Sequence, residues 1–167
     1  MITKENKIKD SKDILCSIKR IAFQVYEINI EEESLVIVGI GKRGGLLSEM
    51  LGEVLDSISD LKLKYVNLTI DKTKPYNNIQ SNISLDDIEN QSIVIVDDVL
   101  NTGSTLIHAV SYFLQIPLKR IKTAVMVNRN HKKFPIKADF KGISLSTSVN
   151  EHITVRLKGN SSGIYLS

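Results

Sequence analysis

A chain of 167 residues is enough for one core of ordinary size and short for two domains. With 42% hydrophobic and 25% charged residues it has the make-up of an ordinary soluble globular protein, and its net charge of +3 suits an anionic small-molecule partner without demanding nucleic acid. No apolar run approaches membrane-spanning length, the start MITKENKIKDSK has no secretory h-region, and the single Cys16 excludes an intrachain disulfide. A reducing cytoplasm is the expected setting.

Residues 1–9 are polar and expected to be frayed. From about Asp10, Ile14, Ile18, Ile21, Ala22 and Val25 recur at spacings of three and four, which predicts an amphipathic helix capped by Asp10 or Ser11. Leu35 to Ile40 is an aliphatic run that reads as a buried strand. Gly41-Lys42-Arg43-Gly44-Gly45 follows, then a helical pattern of Leu46, Leu47, Met50, Leu51, Val54 and Leu55. Three glycines around two cations can turn amides and positive charge toward an anion; taken alone, they read better as a generic strand-to-helix turn with two solvated cations.

A third strand is expected from about Leu63 to Ile70. The polar, aperiodic stretch Asp71 to Ser84 then predicts a mobile loop, long enough inside a small domain to suggest an active-site lid. Lys74 and Tyr76 are its candidate contacts.

The stretch from Ser92 to Ala109 organises the rest. Ile93 to Val96 reads as a strand buried on both faces, with Asp97 and Asp98 at its carboxyl end. The turn Thr102-Gly103-Ser104-Thr105 leads into a helix from about Thr105 to Leu114. Small residues let amides approach a phosphate, hydroxyls add donors, and the helix start adds its positive dipole end. Neighbouring acids would repel that anion, unless they hold sugar hydroxyls while magnesium neutralises a polyphosphate. Ile121 to Val127 is a fourth buried strand, and residues 129–141 form a basic segment with Phe134 and Phe140 interleaved. Short strands are expected at Thr154–Leu157 and Ile164–Leu166. Alternating strands and helices predict a single α/β domain, a mostly parallel twisted sheet flanked by helices, with ligand loops at the strands' carboxyl ends.

The run VDDVLNTGST resembles the signature with which type I phosphoribosyltransferases bind 5-phosphoribosyl 1-diphosphate (PRPP). VGIGKRGG, VNRNHKKFPIKADFKG and the terminal IYL extend the resemblance over roughly residues 14–166, toward the branch that combines pyrimidine operon attenuation with uracil phosphoribosyl transfer. The resemblance implies that fold with a small hood at 129–145, Mg2+ carried by PRPP with no protein metal ligands, and transfer of the phosphoribosyl group to a nucleobase, uracil above others. It assigns catalysis to Asp97, Asp98 and Arg43, and PRPP binding to Lys42, Arg43, Gly44, Asp97, Asp98, Asn101, Thr102, Gly103, Ser104 and Thr105. Base contact falls to Arg129, Phe140 and Lys141, with core packing the alternative for Phe140. A homodimer or homotetramer is implied, and no membrane partner.

The chain departs from that branch. Asn101 stands where purine enzymes carry an acid, and an amide cannot take up a proton, which lowers a purine reading. Ser104 stands where the branch has Arg, and Ile143 and Val149 where it has Lys and Arg. RNA affinity should therefore be reduced. The alternatives are a non-catalytic, nucleotide-sensing RNA-binding regulator of pyrimidine genes, or a purine phosphoribosyltransferase. A dinucleotide site lacks its G-x-G-x-x-G.

Overall fold

In the computed structural model, which describes residues 5–167, the aliphatic runs become adjacent strands of one sheet. Strands β2 (Ser34–Ile40), β3 (Lys62–Thr69), β5 (Ser92–Leu100), β6 (Arg120–Arg129) and β7 (Phe140–Leu145) run parallel. The two-residue β4 (Gln80–Ser81) adds an antiparallel edge, and the order is β4-β3-β2-β5-β6-β7. The fold is thus a single α/β domain with a mostly parallel sheet, as the sequence predicts.

Parallel strands are covered on both faces, which is why these runs are apolar without a polar alternate. Leu35, Ile37, Val94 and Val96 face one layer, while Val36, Val38, Ile93 and Ile95 face the other. The first layer holds α1 (Ser11–Ile28) and α2 (Gly41–Ile58); the second holds α3 (Ser104–Phe113) through Leu106, Ala109 and Phe113. Each fully buried aliphatic side chain contributes roughly 1.5–3 kcal/mol. Helix α1 starts at a reciprocal cap: Asp13 N–H donates to Asp10 Oδ1 at 2.9 Å, and Asp10 N–H to Asp13 Oδ2 at 3.1 Å.

The chain steps from β2 outward to β3, then returns to place β5 on the other side of β2. Between β2 and β5 the connections diverge in opposite directions, which opens a crevice at their carboxyl ends. The 41–45 and 97–105 segments meet there.

Three expectations need correction. Asn6–Lys9 is not frayed: it forms β1, paired antiparallel with β9 (Gly163–Leu166), and β9 pairs with β8 (Ile153–Arg156) in a second, three-stranded sheet. The partner lies at the far end of the chain, so no local pattern announces it; residues 1–4 lie outside the described residues. The 71–84 stretch is partly ordered: Asn82 N–H and Oδ1 bond the backbone of Asn67, and a 3-10 turn follows at Leu85–Ile88. The 41–45 stretch is the first turn of α2, which begins directly at Gly41 instead of after a loop.

Deleting residues 1–9 should leave β9 and β8 as a bare hairpin, which is marginal in water. We expect a fall in melting temperature of several degrees with the six-stranded sheet intact, read by calorimetry and circular dichroism.

Candidate active site

A cavity of about 370 Å³ opens at the crevice, lined by Arg43, Lys72, residues 97–103, Thr105, Leu106, Val125, Arg129, His152 and Ile153. Its floor is acidic. Asp97 and Asp98 continue β5 past its last pair with β2, Gly39↔Val96, and are only 4% and 2% exposed. Asp97 Oδ1 accepts the amide of Asp98 at 2.9 Å. Burial, and then the charge of Asp98, push the Asp97 carboxyl up to about 8, with Lys72 pulling the other way. Arg43 reaches Asp98 Oδ2 at 3.4 Å, but its side chain is 62% exposed, so that contact is screened and weak.

Close backbone approach brings Arg43 there. A Cβ on Gly44 would sit 2.6 Å from the carbonyl oxygen of Val96, so only glycine lets the first turn of α2 lie against the end of β5.

The other end of the cavity is the 102–105 turn. Gly103 caps α3 in the left-handed region (φ +86°), and no side chain caps the helix start. Ser104 N–H reaches Thr102 Oγ1 at 3.3 Å. The turn is held from behind: the amides of Lys133 and Phe134 donate to the carbonyl of Thr102 at 2.8 and 3.2 Å, and Ile136 would lie 2.6 Å from a Cβ on Gly103. His108, against the Ser104 carbonyl at 2.7 Å and edge-on to Phe134, belongs to the same support. The start of the basic segment therefore braces the turn.

The structure gathers Arg43, Asp97, Asp98, Asn101, Thr102, Gly103, Thr105 and Arg129 around one cavity. It leaves the other named residues off it. Lys42 lines a separate outer groove with Glu49 and Asn67, Gly44 is packed under β5, and Ser104 is not among the lining residues. Phe140 and Lys141 require correction: they begin β7, opposite Ala124 and Val125, so Phe140 enters the core beside α1 and Lys141 offers its carbonyl to Arg20. Lys74 and Tyr76 do not line the cavity either.

Sequence reasoning missed Lys72, His152 and Ile153. Lys72 lies inside a turn in which Asp71 Oδ1 accepts from Thr73 N–H and Oγ1–H and from Lys74 N–H, a pattern the DKT run could have signalled. His152 and Ile153 carry no local signal, since only the pairing of β8 brings them in.

Among the described residues no group of three or more His, Cys, Asp or Glu could hold a metal. Two adjacent buried carboxylates nonetheless fit Mg2+, which keeps several waters and takes one or two carboxylates plus substrate phosphates.

A parallel sheet whose carboxyl edge presents an acid pair beside a glycine-hydroxyl turn is the architecture of a phosphoribosyl-binding protein. The phosphoribosyl transferase domain matches residues 5–159, and the chain belongs to that family. Two curated relatives are both named Bifunctional protein PyrR. The one from Clostridium acetobutylicum is 31% identical over 166 residues, covering 92% of this chain and 90% of the relative. The other, from Macrococcus caseolyticus, is 33% identical over 159 residues, covering 90% of each. Among solved structures, the hypoxanthine phosphoribosyltransferase of Trypanosoma cruzi superposes with a TM-score of 0.80 at 16% identity over 96% of this chain and 95% of that one. A hypoxanthine-guanine phosphoribosyltransferase from Bacillus anthracis gives 0.77 at 15% identity over the same shares. At such identities these two establish the fold alone.

Two predictions follow from the geometry. Gly103→Ala should cost about 1–3 kcal/mol, through the positive φ and the contact with Ile136, measured by chemical denaturation. Asp97 has a folded-state pKa raised from 3.8 to about 8, so the folded protein binds the extra proton and stability falls as pH rises through that window. Asp97→Asn should then raise the melting temperature, with a larger gain near pH 8 than near pH 5; an equal gain at both would contradict the burial argument.

Proposed function

We propose that the protein transfers the 5-phosphoribosyl group of PRPP to a ring nitrogen of a nucleobase, uracil above others, yielding a nucleoside monophosphate and diphosphate. Family membership supports the reaction class, and the carrying observation is the buried Asp97–Asp98 pair sharing one cavity with the left-handed Gly103 turn. The naming of the curated relatives, and Asn101 where purine enzymes carry an acid, favour a pyrimidine.

Asp97 and Asp98 accept hydrogen bonds from the two ribose hydroxyls, which fixes the sugar without a covalent intermediate. The Thr102–Thr105 turn holds the 5-phosphate through amides and hydroxyls at the start of α3. Arg43 exchanges its weak contact with Asp98 for the diphosphate, joined by Lys72 from the β3 side. Both then offset charge as the bond to diphosphate stretches and the ribose becomes oxocarbenium-like. Mg2+, when bound with PRPP, would supply further neutralisation, and Asp97 and Asp98 are the residues that would hold it. The loop between β3 and β4, which brings Lys72 to the cavity, is the segment that would close over it and exclude water.

The exposed Lys132, Lys133 and Lys137 support a second reading, an RNA-binding regulator that keeps the pocket as a sensor.

Purified protein should convert PRPP, with Mg2+, and uracil to the monophosphate; hypoxanthine, guanine and xanthine serve as comparisons. Nucleotide binding without turnover on any base would move the conclusion to the regulator. Asp98→Asn removes charge-assisted hydrogen bonds of about 1.5–3 kcal/mol each, so PRPP affinity should drop about a hundredfold with an unchanged circular dichroism spectrum.

A further inference from the structure

Arg129 carries a buried charge, 5% exposed, that no carboxylate pairs with among the described residues. Its guanidinium is instead committed to the segment that follows β7. Nε donates to Thr147 Oγ1 at 3.0 Å, and Nη2 donates to the carbonyls of Ser148 at 3.1 Å and Glu151 at 3.0 Å. Those two carbonyls are the ends of a small closed turn, in which Glu151 N–H donates to Ser148 O and the Glu151 carboxylate accepts from Ser148 N–H. His131 adds a second anchor, its Nε2 donating to the Thr147 carbonyl at 2.6 Å. On the far side, His152 N–H donates to Ser167 O at 2.7 Å and Ser167 N–H returns to His152 O at 3.0 Å.

The segment so pinned ends in His152 and Ile153, both on the cavity. If the acids take the ribose, the 102–105 turn the phosphate, and Arg43 with Lys72 the diphosphate, the lining that remains for the base includes Ile153 and His152 beside Arg129 and Val99. Ile153 offers an apolar surface and His152 a hydrogen-bonding ring, the two kinds of group that a planar oxo-substituted ring requires. We propose that Arg129 is a positioning residue: it fixes the 147–151 turn and so sets the His152–Ile153 wall that selects the nucleobase. This rests on the function proposed above. Nη1 takes no part in these bonds and Arg129 lines the cavity, so the positioning role is separate from any direct contact with an exocyclic oxygen.

Arg129→Gln and Thr147→Val test it in the full chain, the second leaving the cavity's charges untouched. Hydrogen exchange should accelerate about tenfold or more over residues 146–153 in both variants, with exchange at 102–105 unchanged. The nucleobase KM should rise about tenfold while PRPP affinity, by calorimetry, stays within about twofold of the parent. Parental exchange at 146–153 in Thr147→Val overturns the proposal. So does a raised nucleobase KM in Arg129→Gln beside a parental one in Thr147→Val, which would mean a direct contact. If Arg129→Gln does not fold, Thr147→Val alone decides. If the parent protein neither binds PRPP nor turns over any base, the function fails, and exchange still decides the clamp.

Discussion

Two carboxylates withdrawn from water at the end of one strand set the problem that the surrounding structure solves. Adjacent buried acids cannot both stay ionised cheaply, and the protein supplies little permanent compensation: an amide for Asp97, a distant lysine, and an exposed arginine for Asp98. The shortfall gives the cavity its chemical appetite. A ligand bringing hydroxyl donors and a cation would relieve the strain, so the cost of burying the pair would be available as binding free energy.

Placement of that pair depends on packing, not on charge. Strand β5 is central, with β2 and β6 on either side and helix layers on both faces, so its carboxyl end is rigid. Gly44 lets α2 come close enough for Arg43 to reach across, and the Lys133–Ile136 stretch fixes the turn at Gly103 from behind. Both devices need a missing Cβ, which makes these glycines structural requirements of the site.

What could be read from the sequence was what local periodicity and dense motifs encode. The helix of Ile14 to Val25, the runs 35–40 and 93–96, and the VDDVLNTGST motif lie on consecutive residues whose roles depend on near neighbours. For Phe140 the resemblance offered a base contact and core packing stood beside it; the register of β7 with β6, which no local pattern carries, sends that ring into the core. Residues 6–9 looked frayed because an exposed edge strand has no apolar signature of its own. His152 and Ile153 reach the cavity only through pairing with the last residues of the chain, a relation no window of the sequence contains.

That pairing has a practical side. The second sheet weaves the two ends of the chain together, β1 beside β9 and β9 beside β8, and Ser167 is zipped to His152 in both directions. An affinity handle fused beside β1 or β9 therefore sits within a strand or two of His152 and Ile153 on the cavity. For this domain the choice of where to attach a tag is a chemical variable.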